Sequence, residues 1–340
     1  MNTALTAAIA AAGVLVFAAL ICAAITEIIF RIAVSRYGIG RKMRRSMAAN
    51  TNPEYESNSF VCSYIDLYRE GVKWIESMPF ETVSIKSDDG LLLCGYLLTC
   101  ENAARSMICV HGFRGSGKKD FAFVSEFYHE SNCNLLIIDQ RTHGLSEGKY
   151  ICYGAKERLD CVRWAEFMRD RFGEDLPMYY NGISMGCASV LMASVLPLPK
   201  NLRGIIADCG YTSAWEEFAH VIRKRCHLPA FPFLHFANHL CRTRAGIDLQ
   251  EFDVSKIIAE NKIPVLFIHG EADTFVPTEM GRRNYEACGS EKSIVLVKGA
   301  RHGVSYLEDT PGCQRAIAEF FKKHDGDTGA REVRESLKNF

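Results

Sequence analysis

The amino-acid sequence predicts an α/β protein, a mostly parallel sheet with helices on both faces, preceded by one long apolar helix and interrupted by a helical insertion. Three observations carry this. Apolar strand-like runs alternate with helical patterns from Ser106 to Lys323, a glycine-flanked serine stands at one strand-to-helix junction, and no charged side chain occurs between Asn2 and Thr26. Strands alternating with helices argue for a parallel sheet covered on both sides.

The amino-terminal segment is read first. Ala4 to Thr26 is almost wholly Ala, Val, Leu, Ile and Phe, and a helix rising about 1.5 Å per residue over that length spans the roughly 30 Å of bilayer hydrocarbon. Residues 1–30 are therefore expected to form a transmembrane anchor. Arg31, Arg36, Arg41, Lys42, Arg44 and Arg45 follow, with Glu27 the only acid before Glu54. Such an excess of basic residues on the carboxyl flank predicts that this flank and the domain behind it are cytoplasmic. The competing reading is a cleaved signal peptide. It would want basic residues before the apolar core, and none precedes Ala4, although the Ala-rich end offers small residues to a peptidase. Residues 31–60 read as a basic juxtamembrane segment and linker, and Tyr64 to Ile75 has helical spacing.

A hairpin is expected next, from Thr82–Lys86 and Leu91–Leu98 around the turn Asp88-Asp89-Gly90. Then come strand Ser106–His111, helix Phe121–Glu130, strand Asn134–Asp139, helix Ala155–Arg171, strand Met178–Ile183, helix Met185–Leu196 and strand Leu202–Asp208. Between Tyr211 and Gln250 the alternation lapses, and a cap is expected over about 211–250, rich in Trp215, Phe218, Phe231, Phe233 and Phe236. Strand Pro264–His269, helix Thr278–Ala287, strand Ser293–Lys298 and helix Gly312–Lys323 complete a domain expected over 61–325, with a charged tail at 326–340.

The totals exclude some partners. Forty Lys and Arg balance forty Asp and Glu across 340 residues, so no global field favours nucleic acid. Fourteen cysteines are scattered without paired CxxC spacing and read as reduced thiols, several in apolar runs where Cys acts as a small hydrophobe. No feature fixes an oligomeric state.

Chemistry centres on Gly182-Ile183-Ser184-Met185-Gly186, between an apolar strand and a helix of small and aliphatic residues. In that setting Gly-x-Ser-x-Gly is a nucleophile elbow, which makes Ser184 the candidate nucleophile. A serine hydroxyl needs a base and a group to orient that base, and parallel-sheet hydrolases place Ser, acid and His in that chain order. Asp273, on the loop after the strand ending at His269, is the expected acid, with Glu271 its alternative. His302, after the strand Ser293–Lys298, is the expected base. The backbone N–H groups of Met185 and Phe113 are the expected oxyanion donors, and His111 is expected to brace the Phe113 loop.

These residues, with Asp139-Gln140-Arg141-Thr142-His143-Gly144-Leu145-Ser146 and Asp208-Cys209-Gly210-Tyr211-Thr212-Ser213, resemble the alpha/beta-hydrolase superfamily, and most of all the membrane-anchored, YqkD-like serine hydrolases. The resemblance covers residues 80–323. It implies ester-type hydrolysis through an acyl-enzyme, with neither metal nor organic cofactor, and supplies no substrate; the aromatic cap predicts a small molecule with an acyl or aromatic portion. Thr142 stands where relatives often carry Gly; the loop is structural in the family, and His143 is accordingly expected to be a loop brace.

Two other patterns in the chain point elsewhere. Gly112-Phe113-Arg114-Gly115-Ser116-Gly117-Lys118-Lys119 nearly spells a phosphate-binding loop but has Lys119 where Ser or Thr should hold magnesium. Arg114, Lys118 and Lys119 remain basic groups for an anionic portion of a substrate or lipid head. Cys226, His227, His235, His239 and Cys241 raise a zinc site without finger-type spacing. An amidase or peptidase of the same fold, or a binding protein on a hydrolase scaffold, are the functional rivals to a carboxylic ester or thioester hydrolase.

Overall fold

A computed structural model describes residues 3–38 and 64–326. Arg41, Lys42, Arg44, Arg45, the linker over 46–60 and nearly all of the expected tail lie outside the described residues. Helix α1 (Thr3–Ala33) leaves Leu5, Ile9, Val14, Leu15, Val16, Phe17 and Leu20 exposed. It is long and apolar enough to cross a membrane.

The end of α1 departs from the expected juxtamembrane linker. Phe30 and Val34 are buried in the core of the domain, Ser35 forms a β-bridge with Tyr150, and the Arg36 guanidinium donates to the carbonyls of Ser146 at 2.5 Å and Gly144 at 3.0 Å. Arg36, read as part of a basic juxtamembrane linker, is thus held against carbonyl oxygens of the domain.

Helix α2 (Ile65–Ser77) precedes the hairpin β1 (Glu81–Lys86) and β2 (Leu92–Leu98). The rest alternates as expected: β3 (Arg105–Val110), α3 (Gly117–Asp120), α4 (Ala122–Glu130), β4 (Cys133–Ile138), α5 (Glu157–Phe172), β5 (Met178–Ile183), α6 (Met185–Ala193) and β6 (Leu202–Asp208). Helices α7 (Ala214–Lys224) and α8 (Phe233–Leu240) then form the insertion, α8 packing against α1. Helix α9 (Val254–Ile257), β7 (Val265–Gly270), α10 (Thr278–Ala287), β8 (Lys292–Val297), α11 (Ser305–Glu308) and α12 (Thr310–His324) close the chain.

The eight strands run in the order β1-β2-β4-β3-β5-β6-β7-β8, and β3 to β8 are parallel. Every residue of β3, β4, β5 and β7 is buried, which is why these strands read as continuous apolar runs and not as alternating ones. The period of two instead divides the two cores. Met107, Cys109, Leu135, Ile137 and Tyr179 face α4 and α12 through Tyr128, Ile317 and Phe321, whereas Ile108, Val110, Leu136, Ile138 and Tyr180 face α5 and α6 through Trp164, Met168 and Leu191.

The last described turn is fastened to the first parallel strand. Arg105 Nη2 meets Asp325 Oδ2 at 2.6 Å with both side chains 1% exposed, and the Tyr179 hydroxyl donates to Asp325 Oδ1 at 2.8 Å. The thirteen described cysteines are all free, ten of them buried and only Cys226 exposed.

Candidate active site

Residue 184 has φ 55° and ψ −113°, a conformation that costs an L residue on the order of 1–3 kcal/mol. Two contacts hold it. Ser184 N donates to the Asp208 carbonyl at 2.9 Å, and α6 lies so close to β3 that a Cβ at Gly186 would come within 1.9 Å of the Val110 carbonyl oxygen. The serine hydroxyl is therefore fixed above the carboxyl ends of β3, β5 and β6.

The strand ends on one side of it supply the other two side chains. The loop after β8 brings His302 Nε2 to 2.9 Å from Ser184 Oγ, and the loop after β7 brings Asp273 Oδ2 to 2.7 Å from His302 Nδ1. Asp273 Oδ1 accepts the amides of Phe275 at 2.9 Å and Val276 at 3.0 Å. Burial works to raise its carboxyl, but hydrogen bonds from His269 and His302 outweigh that and hold it below the usual carboxylate range. Glu271 is exposed at the strand end and stands outside this chain of contacts.

The loop after β3 runs beside the serine: a Cβ placed on Gly112 would lie 3.5 Å from Ser184 Cβ. Phe113 N–H follows directly on this close approach, and Met185 N–H opens α6, where a first-turn amide has no acceptor within its own helix. His111 braces the loop, its Nε2 accepting Gln140 N at 3.0 Å. His143 Nε2 accepts Arg114 N at 3.1 Å, and burial, then the His111 ring, push its imidazole down to about 3, so it is a neutral acceptor.

The structure places beside the site several groups to which the sequence assigned no role. Asp120 accepts the amides of Gly112 at 3.0 Å and Ser116 at 3.4 Å, fixing the Phe113 loop from below. His269 Nε2 lies 3.4 Å from Asp273 Oδ2; its four-residue spacing to Asp273 was visible, but that spacing outside a helix predicts no contact. Glu217 on α7 is 6% exposed and neither carboxylate oxygen has a partner among the described residues; burial, then the Asp273 charge, raise it to about 8. Asp208, at the end of β6, is raised by burial to about 6.

The remaining candidates resolve simply. Lys118 lies over the rings of Phe80 and Tyr96, on a helix of only four residues. In the insertion, His235 packs edge-on against Trp215 and Phe231, Cys241 is buried and Cys226 exposed, so the five cap candidates for zinc do not converge. Among the described residues Cys209, Asp273 and His302 do place ligand atoms within 4.8 Å of one another. Both His302 nitrogens are already engaged there, and burial pushes the Cys209 thiol well up, which leaves a poor donor set.

Comparison with known proteins agrees with this architecture. The family model Abhydrolase_4, TAP-like protein, matches residues 236–332. The chain is 25% identical over 253 residues to the uncharacterized protein YqkD of Bacillus subtilis, covering 74% of this chain and 83% of that one. Among solved structures, an esterase of Pyrococcus furiosus superposes with a TM-score of 0.59 at 24% identity, covering 75% of this chain and 94% of that one. Est1E of Butyrivibrio proteoclasticus, solved with ferulic acid bound, does so with a TM-score of 0.55 at 20% identity, covering 71% and 98%.

Proposed function

We propose that this chain, which has the alpha/beta-hydrolase fold and resembles YqkD, is a membrane-anchored serine hydrolase of carboxylic esters or thioesters. The observation that carries the reading is the unbroken line of contacts from Ser184 Oγ to His302 Nε2 at 2.9 Å and from His302 Nδ1 to Asp273 at 2.7 Å. A neutral imidazole so held accepts the serine proton as Oγ attacks the acyl carbonyl, and the Asp273 carboxylate stabilises the imidazolium that forms. The N–H groups of Phe113 and Met185 receive the oxyanion. His302 returns the proton to the leaving alcohol or thiol, and water, deprotonated by the same base, releases the acid from Ser184.

The esterase name of the Pyrococcus furiosus neighbour supports an ester substrate. The apolar helix α1 supports anchoring, and the basic residues that follow it support a cytoplasmic domain. A fluorophosphonate probe tests the nucleophile: wild type should be labelled and Ser184→Ala should not. Labelling that survives the substitution removes Ser184 from the role.

A further inference from the structure

The insertion over the site carries a basic run. From Phe218 to Ile247 there is no Asp or Glu, against five cations, Arg223, Lys224, Arg225, Arg242 and Arg244; Arg242 pairs with Asp248 at 2.5 Å and Arg244 with Glu27, so the cationic patch is the run 223–225. All five are exposed. Two large aromatic side chains stand out among them, Phe231 at 71% and Phe236 at 52% exposure. Exposed aromatics together with exposed basic groups are the kinds of side chain that lie at a lipid head-group boundary.

The position of α1 decides which surface they meet. Residues 3–25 of α1 span roughly 35 Å at about 1.5 Å per residue, enough for the hydrocarbon core. Burial on the domain begins at the next residue, Thr26, which is 3% exposed. Helix α8 packs along this end of α1, Arg244 Nη1 meets Glu27 Oε2 at 2.7 Å, and the same guanidinium lies over the Phe30 ring. The insertion therefore sits where the helix leaves the bilayer.

The catalytic loop is held to the same point. The Arg114 guanidinium donates to the carbonyls of Ile32 and Ser35, the latter at 2.8 Å. The Tyr153 hydroxyl donates to the Ala33 carbonyl at 2.8 Å, and the Tyr153 ring stacks on Phe113 at 5.6 Å. One side chain thus separates the end of α1 from the loop beside Ser184.

We infer that the insertion is a bilayer-contacting surface that engages anionic lipid head groups, so that the cleft draws its acyl substrate, a long-chain ester, from the membrane and not from water. The surface stands on charge, exposure and its continuity with α1; the substrate class rests on the hydrolase reading above.

The test uses the full chain in nanodiscs of phosphatidylcholine with and without phosphatidylserine. Phe236→Trp should gain fluorescence that brominated lipid quenches, more strongly with phosphatidylserine present. Each basic residue beside an anionic leaflet is worth roughly fivefold in association. Arg223→Glu with Lys224→Glu should therefore reduce that quenching and slow hydrolysis of a bilayer-embedded long-chain ester at least about tenfold, leaving a soluble short-chain ester unaffected. Soluble ester turned over normally, with residue 236 unquenched and the embedded ester insensitive to the charge reversal, overturns the inference and points to an acidic protein partner instead. Quenching at residue 236 without turnover of either ester upholds the surface and defeats the hydrolase reading.

Discussion

Asp273→Asn tests the proposed role of Asp273 as orienting acid apart from the loop that it stabilises. The amide oxygen of Asn can keep the bonds from the Phe275 and Val276 amides, now at 2.9 and 3.0 Å, so the loop should persist. The other atom, 2.7 Å from His302 Nδ1, becomes an N–H donor, and the ring must either lose that contact or present a proton toward Ser184. On the proposed mechanism, what is lost is the charge pair formed when His302 takes the serine proton. For unit charges about 4 Å apart at an effective dielectric constant of about 20 this is worth roughly 4 kcal/mol, or about three powers of ten in rate. The measurement is kcat on a water-soluble aryl ester with the full chain in detergent, beside a thermal melt of the same sample. A loss smaller than about tenfold with an unchanged melt would show that Asp273 does not orient the base.

Three further outcomes are expected. Burial keeps Glu217 protonated up to about 8, whereas in the unfolded chain it ionises near 4.3; the folded state binds the proton more tightly, so its advantage is full below about pH 4 and lost as the pH rises through about 8. Glu217→Gln should then leave acid stability unchanged and add up to about 3 kcal/mol at pH 7, and melts showing the same difference at every pH would contradict this. Asp325→Ala strands the Arg105 guanidinium at 1% exposure and should cost about 3–5 kcal/mol in urea denaturation, with Arg105→Met in the same chain recovering much of it. Arg114→Ala frees the Ile32 and Ser35 carbonyls and should lower turnover roughly tenfold, equivalent to about 1.4 kcal/mol, with faster amide exchange over 30–37; unchanged exchange there would refute the tie.

What the sequence disclosed follows from which signals are local. The elbow at Ser184, the strand-end acid and the loop histidine were readable because a turn, a strand end and chain order are local or ordinal properties. The strands matched within a residue or two, as with Ser106–His111 expected and Arg105–Val110 observed. Helix α5 begins at Glu157 and not Ala155, because the Glu157 carboxylate accepts the amides of Cys152 at 2.8 Å and Gly154 at 2.9 Å and so holds the preceding turn. The docking of residues 30–36 was hidden for a different reason. Its partners are backbone carbonyls of Ile32, Ala33, Ser35, Gly144 and Ser146, which every residue carries and no pattern advertises. Asp120 and Glu217 were likewise unreadable, since one acts through distant amides and the other is defined by lacking a partner.

The buried thiols give the protein a built-in gauge of its own integrity. Burial both shields Cys109, Cys161 and Cys187 and pushes their thiols well up, so the reactive thiolate is scarce as well as hidden. Among the described cysteines a maleimide added to intact protein should modify Cys226 first, and a sudden rise in modified sites would time the moment the sheet comes apart. The same asymmetry makes residue 226 a ready attachment point for a spin label or dye on the insertion once Cys62, which lies outside the described residues, has been replaced.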